Sequence, residues 1–189
     1  ECISNFTAKC DMASFGCDLI STAIWTGARL KDILSLAGGL MPGAVSLVAM
    51  TDDEFSSALP AELAMADDVL LVYEMNGTTL PREHGYPVRL LVPGRYGLKN
   101  AKWVVRLMVT TQPYVDWWGQ RNWSLTSIAK TMSRIDVAKG GAAGQPVSIA
   151  GVTFAGERGV GAVQISDDGG KTWQAAQVES PNTPNVWSR

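Results

Sequence analysis

Apolar residues in this chain come in short runs closed off by turn residues, and that arrangement limits the fold to one built mainly of strands. Residues 44–50, 69–75, 88–93 and 103–111 are each of strand length, and Asn76-Gly77 is a strong tight-turn signal between two of them. Helical periodicity is confined to two places. Within 27–38, Leu30, Ile33, Leu34 and Ala37 share one face, with Gly38 placed to cap the C-terminus. Residues 59–66 form a second short helix with Pro60 near its first turn. No stretch approaches the roughly 18 uninterrupted apolar residues that a membrane-spanning helix needs.

The 46% hydrophobic content and formal net charge of −2 exclude a disordered chain. With 18 acidic against 16 basic residues, the chain as a whole has no basic face for nucleic acid. Composition changes in the Gly-rich stretch 137–146, which reads as a linker. Beyond it, 147–154 and 160–166 alternate apolar and polar residues, and Asp168-Gly169-Gly170 supplies a hairpin turn. Short strands at this spacing indicate a partial β-sandwich. The expected organisation is therefore a strand-rich α+β domain over 1–136, a linker over 137–146 and a partial sandwich over 147–189.

The chain opens at Glu1 rather than Met, in what looks like the middle of a functional segment, and reads as a fragment or processed chain with no visible targeting signal. Its three cysteines, Cys2, Cys10 and Cys17, cluster in the first 17 residues. An odd, local cluster is not a disulfide framework, although Cys10 and Cys17 could pair. A zinc site needs about four ligands, and only His84 is available to add to the cysteines.

The most unequal charge distribution lies between His84 and Val115. These 32 positions hold Arg89, Arg95, Lys99, Lys102 and Arg106 and not one Asp or Glu. Within them the loop Val92-Pro93-Gly94-Arg95-Tyr96-Gly97-Leu98-Lys99-Asn100 can bring backbone N–H groups to an anion, with Arg giving a forked contact and Lys a point charge. A solvated basic loop is the plain alternative. His84, the sole histidine, is on its own more often a structural residue than a ligand or base, and its place beside a cationic loop favours a ligand role. Cys2 offers a soft thiolate for a transition metal, or an inert buried thiol. Tyr114, Trp117, Trp118 and Trp123 make an aromatic cluster that suits packing or a rim.

Several longer motifs carry a resemblance. Glu1-Cys2-Ile3-Ser4-Asn5, Leu19-Ile20-Ser21-Thr22-Ala23-Ile24-Trp25-Thr26-Gly27-Ala28-Arg29-Leu30, Tyr73-Glu74-Met75-Asn76-Gly77 and Leu80-Pro81-Arg82-Glu83-His84-Gly85-Tyr86-Pro87-Val88-Arg89 follow one another in the chain. So do Pro93-Gly94-x-x-Gly97, Lys102-Trp103 and Asp168-Gly169-Gly170-Lys171-Thr172-Trp173. Together they resemble the sulfite oxidase family of molybdopterin-dependent oxidoreductases.

The resemblance implies a molybdenum–molybdopterin cofactor, with Cys2 as the protein's thiolate ligand to the metal. It places His84, Arg89, Lys99, Asn100, Ala101 and Lys102 at the pterin and its phosphate, and Asp52 near the pterin, with Asp53 an equal candidate. It implies oxygen-atom transfer to or from a small oxyanion or S- or N-oxide, with electrons passed singly to a haem or other carrier. The last part resembles the family's immunoglobulin-like dimerisation domain, so a homodimer is implied. By analogy an extracytoplasmic location follows, with any membrane tether supplied by segments not shown. Two departures stand out. Trp123 occupies the position where the family's sulfite oxidases carry a substrate-pocket Tyr, and the family's N-terminal pterin-binding segment and substrate-pocket Arg precede the ligating Cys. A cofactor-free dimerisation or partner-binding module is the competing reading, and a redox-sensing thiol protein a third.

Overall fold

The structure, a computed structural model, describes residues 1–6, 19–140, 142, 144–179 and 185–188. They fall into two compact units, Glu1–Ile3 with Ala23–Ile128, and Ser4–Thr22 with Ala129–Arg189. Cys10 and Cys17 lie outside the described residues.

In chain order the first unit carries β1 (Trp25–Arg29), α1 (Leu30–Leu36), β2 (Ser46–Thr51), β3 (Ser56–Pro60), α2 (Ala61–Ala64), β4 (Leu70–Met75), β5 (Thr78–Thr79), β6 (Arg89–Leu91) and β7 (Val104–Thr110). All strand pairings are antiparallel. One sheet joins β1, β4, β5 and β6, and the other runs β3-β2-β7. Strand β2 is nearly wholly buried because it has a neighbour on each edge and core on its faces, and its central residues Leu47, Val48, Ala49 and Met50 are accordingly apolar without alternation. At Asn76-Gly77 both residues take positive φ, 53° and 75°, as the turn between β4 and β5 requires.

Helix α1 begins at Leu30, the first residue of the apolar face, three residues inside the stretch 27–38. Trp25 to Arg29 are drawn into β1, where Ala28 pairs with Leu71 and Arg29 with Leu70. Leu30 and Leu34 then point inward, at 0% and 5% exposure. The helix ends where Gly38 turns to φ 101° and the Gly39 N–H donates to the Leu34 carbonyl at 2.8 Å. The second helix is shortened for the same reason, since Leu59 and Pro60 finish β3. The core gathers side chains from both sheets and α1: Leu30, Leu47, Leu59, Val69, Leu90 and Val92.

The second unit carries β8 (Met132–Lys139), β9 (Ser148–Phe154), β10 (Gln164–Ile165), β11 (Gln174–Ala175), β12 (Gln177–Val178) and β13 (Asn185–Ser188). One sheet is ordered β12-β13-β9-β8, and β10 pairs with β11. Here the sequence-derived boundary needs correction. Val137, Ala138 and Lys139 are not linker but strand, paired with Ala150, Ile149 and Ser148 inside the second unit. The two units divide at Ile128 and Ala129 instead. Of the alternating stretch 160–166 only Gln164–Ile165 pairs. The β10–β11 connection is held by Asp168, whose carboxylate accepts the Lys171 and Thr172 N–H groups, each at 2.9 Å, and the Ser166 and Thr172 hydroxyls at 2.8 and 2.6 Å. These bonds draw its pKa down from the usual 3.8 to about 2.

Candidate cofactor cleft

Strand β6 delivers Arg89 and then releases the chain into the loop 92–100. That loop is shaped mainly by Asn100, whose side-chain carbonyl accepts the Val92 N–H at 2.7 Å and whose amide donates to the Tyr96 carbonyl at 3.2 Å. On the far side it is braced by Tyr96 N–H on the Ser127 carbonyl (2.9 Å) and by the Arg95 guanidinium on the Thr126 carbonyl (2.9 Å). At its tip the Gly97 N–H donates to the Glu1 carbonyl at 2.7 Å. This bond ties the segment bearing Cys2, which is half-buried, to a loop almost a hundred residues away.

Around the loop lies a cleft of 280 Å³ lined by Asp53, Phe55, Gly97, Leu98 and residues 100–103. Trp103 holds φ at 52°, an uncommon state for a bulky side chain, and is kept there by its indole N–H on the Arg82 carbonyl (2.8 Å) and by the Asp52 N–H on its own carbonyl (3.1 Å). Next to the cleft residue Lys102, the turn Arg82–His84 is pressed against β6. Gly85 makes this possible: it is buried at φ 114°, and a Cβ there would lie 3.0 Å from the Arg89 Cβ and 3.1 Å from the Lys102 Cβ.

Arg89 is the electrostatic centre of this region. Its guanidinium donates to the His84 carbonyl at 3.0 Å and to the Asn100 carbonyl at 3.4 Å, and it sits 4.9 Å from the Trp25 ring centroid. Its Nε is buried with no hydrogen-bond partner. Burial pushes its pKa down, because the cation has lost water without gaining a carboxylate. Lys102 also has a carbonyl and an aromatic partner, its ammonium lying 3.0 Å from the Glu83 carbonyl and 4.3 Å from the Trp103 centroid. Among the described residues no carboxylate forms an ion pair with Arg89, Arg95, Lys102 or Arg106.

Comparison with known proteins gives this cationic cleft its setting. The family described as oxidoreductase molybdopterin binding domain matches residues 1–118, and the Mo-co oxidoreductase dimerisation domain matches residues 119–188. The chain belongs to the molybdopterin-binding oxidoreductases of the sulfite oxidase family. Mitochondrial sulfite oxidase of Mus musculus is 34% identical over 85% of this chain, and the NAD(P)H nitrate reductase of Hordeum vulgare 29% over 93%. The chain spans 35% and 24% of those two proteins. Among solved structures, the sulfane dehydrogenase SoxCD from Paracoccus pantotrophus aligns with a TM-score of 0.67 at 25% identity, over 88% of this chain and 47% of that one.

Within this molybdopterin-binding domain the residues named from sequence divide by environment. Arg89, Asn100, Ala101 and Lys102 come together at or beside the cleft. His84 contributes its carbonyl to Arg89, with an exposed side chain. Asp53, not Asp52, lines the cleft, and its carboxylate accepts the Thr51 hydroxyl and the Phe55 N–H (3.4 Å). Lys99 requires correction. It is 1% exposed, and its ammonium is ion-paired with the buried carboxylate of Asp116 and bonded to the Ala58 carbonyl at 3.0 Å, so its charge is spent behind the cleft. Trp123 does not line the cleft. It is 41% exposed and packs at a tilt against Trp118, ring centroids 4.7 Å apart, in a row continued by Trp117 and then Phe55. Gly85 and Trp103 were not singled out from sequence as cleft-shaping residues. A glycine in His-Gly-Tyr-Pro was the available hint for the first, and positive φ at a tryptophan has no sequence signature.

Proposed function

We propose that this chain forms the cofactor-holding and dimerising part of a molybdopterin-dependent oxidoreductase. Its reaction transfers an oxygen atom to or from a small oxyanion or S- or N-oxide. When the substrate gains oxygen, water supplies the atom, two protons are released, and two electrons leave one at a time to a haem or other carrier. The observation that carries the reading is Arg89: a desolvated cation with an unpartnered Nε beside a cleft whose neighbouring cations are also unneutralised. Such a site suits a phosphate-bearing, anionic ligand.

When bound, the group supplies a two-electron redox centre for oxygen-atom transfer. The chain's part is to hold and screen it. Cys2 provides the thiolate, the residue type a soft metal favours, and the Glu1–Gly97 hydrogen bond sets where that thiolate sits. Arg89 and Lys102 attract and orient the anionic end, and Asn100 keeps the loop open around it. The loop's backbone N–H groups and Asp53 offer polar contacts to the pterin. Trp123 brings an indole where the family's sulfite oxidases carry a Tyr hydroxyl, which favours a substrate other than sulfite. The second unit is read as the beginning of an immunoglobulin-like sandwich that joins two copies, in line with the dimerisation family it matches. An extracytoplasmic location, periplasmic or membrane-tethered, completes the reading and rests on resemblance alone.

Elemental mass spectrometry and electron paramagnetic resonance on the whole protein and its Cys2→Ser variant test this. The expected result is near-stoichiometric molybdenum with a Mo(V) signal that the variant alters. A folded protein that takes up no molybdenum when the cofactor is available refutes it and leaves a dimerising scaffold.

A further inference from the structure

The ion pair between Lys99 and Asp116 is unusual in its cost. Both side chains are 2% exposed, and removing two charges from water is repaid only when every remaining hydrogen-bond position is filled. Here backbone groups take most of them, two of the three ammonium hydrogens and both carboxylate oxygens having a partner, and the partners follow a pattern. The Lys99 ammonium reaches the Ala58 carbonyl at 3.0 Å, while Asp116 accepts the Ala58 N–H at 3.1 Å on one oxygen and the Gly119 N–H at 3.0 Å on the other. The Lys99 carbonyl in turn accepts the Ser57 hydroxyl at 3.2 Å. Strand β3, the turn Gly97–Lys99 and the turn Gly119–Arg121 are thus pinned at one point.

The other end of the turn Gly97–Lys99 faces the cleft, where Gly97 holds the Glu1 carbonyl. Fixing Lys99 from behind therefore fixes Gly97 in front. We propose that Lys99 and Asp116 are positioning residues for the cofactor site, acting through Gly97 to set the location of Cys2 and the shape of the cleft wall. This rests on the cofactor reading above for its metal readout. Buried pairs are commonly replaceable by apolar groups without loss of stability, so stability alone does not account for this one.

The double variant Lys99→Met/Asp116→Leu in the whole holoprotein tests it. It is expected to fold, to retain about tenfold or more less molybdenum than wild type after gel filtration, and to shift the Mo(V) g values. Iodoacetamide labelling of Cys2, read by peptide mass spectrometry, is expected to accelerate. A folded double variant with wild-type molybdenum, unchanged g values and unchanged Cys2 labelling overturns the proposal. If the double variant does not fold, Asp116→Glu, which keeps the charge but lengthens the arm, is read by the same measurements. An intermediate shift supports the proposal and wild-type values overturn it. If wild type itself lacks molybdenum, the cofactor reading fails, and Cys2 labelling alone decides whether the pair positions that segment.

Discussion

Gly85→Ala is the substitution whose consequence follows most directly from the geometry. At φ 114° an L-residue is strained by about 1–3 kcal/mol. The new Cβ would also meet the Arg89 Cβ at 3.0 Å, the Lys102 Cβ at 3.1 Å and the Lys102 Cα at 3.2 Å. Neither neighbour can yield by turning a distal torsion, because the contacts are to Cβ and backbone atoms. Overpacking of this kind adds about 1–3 kcal/mol. Gly77→Ala is the matched control: φ is 75°, but nothing lies within 4 Å of the added atom, so only about 1–2 kcal/mol of backbone strain applies. At about 2–4 °C per kcal/mol for a chain of this size, Gly85→Ala should lower the melting temperature by roughly 4–24 °C and Gly77→Ala by roughly 2–8 °C. Five of the seven tryptophans lie in the first unit, so tryptophan emission during heating follows the unit concerned. If Gly85→Ala melts no lower than Gly77→Ala, the close approach of the His84 turn to β6 is wrong, and with it the argument that this contact sets Arg89 and Lys102 beside the cleft.

Arg89→Met should leave the melting temperature of the cofactor-free protein unchanged or raise it slightly, since a desolvated cation without a carboxylate is removed, while molybdenum retained after gel filtration drops about 10- to 100-fold. A large loss of stability with intact loading would instead make Arg89 a structural residue. Asp168→Asn should weaken the β10–β11 connection near neutral pH. The sign follows from a folded pKa near 2, below the unfolded value of about 3.9: the carboxylate's contribution is complete above pH ~4 and fades as pH falls toward 2. Melting curves of wild type and variant should therefore converge over that interval, and a gap that persists at pH 2 would assign the effect to lost neutral hydrogen bonds.

Much of this molecule was legible in the sequence because its strands are short, apolar and closed by turn residues whose φ can be anticipated. Asn76-Gly77 and Gly38 behave as their residue types require. The errors arose where pairing overrode a local preference. Residues 27–29 open the stretch that holds the helical face, yet they pair with β4 because the sheet satisfies their backbone groups and buries their neighbours. Residues 137–139 belong to a Gly-rich stretch, yet an antiparallel partner makes them strand.

The candidate site teaches the same lesson through charge. Between His84 and Val115 the sequence is free of acids, and five cations in that window look equivalent. The acid that distinguishes them is Asp116, the next residue along, which folds back and takes Lys99 out of solvent. What remains at the cleft is Arg89, held by two carbonyls and lacking a carboxylate, and Lys102, held by one. Carbonyl partners orient a cation without neutralising it, so these two keep an attraction for an anion that Lys99 has lost. A linear count of charges cannot separate the cations that build the wall from those that face the ligand. That division depends on which partner each one meets, and it predicts that Lys99 variants act through geometry and Arg89 variants through charge.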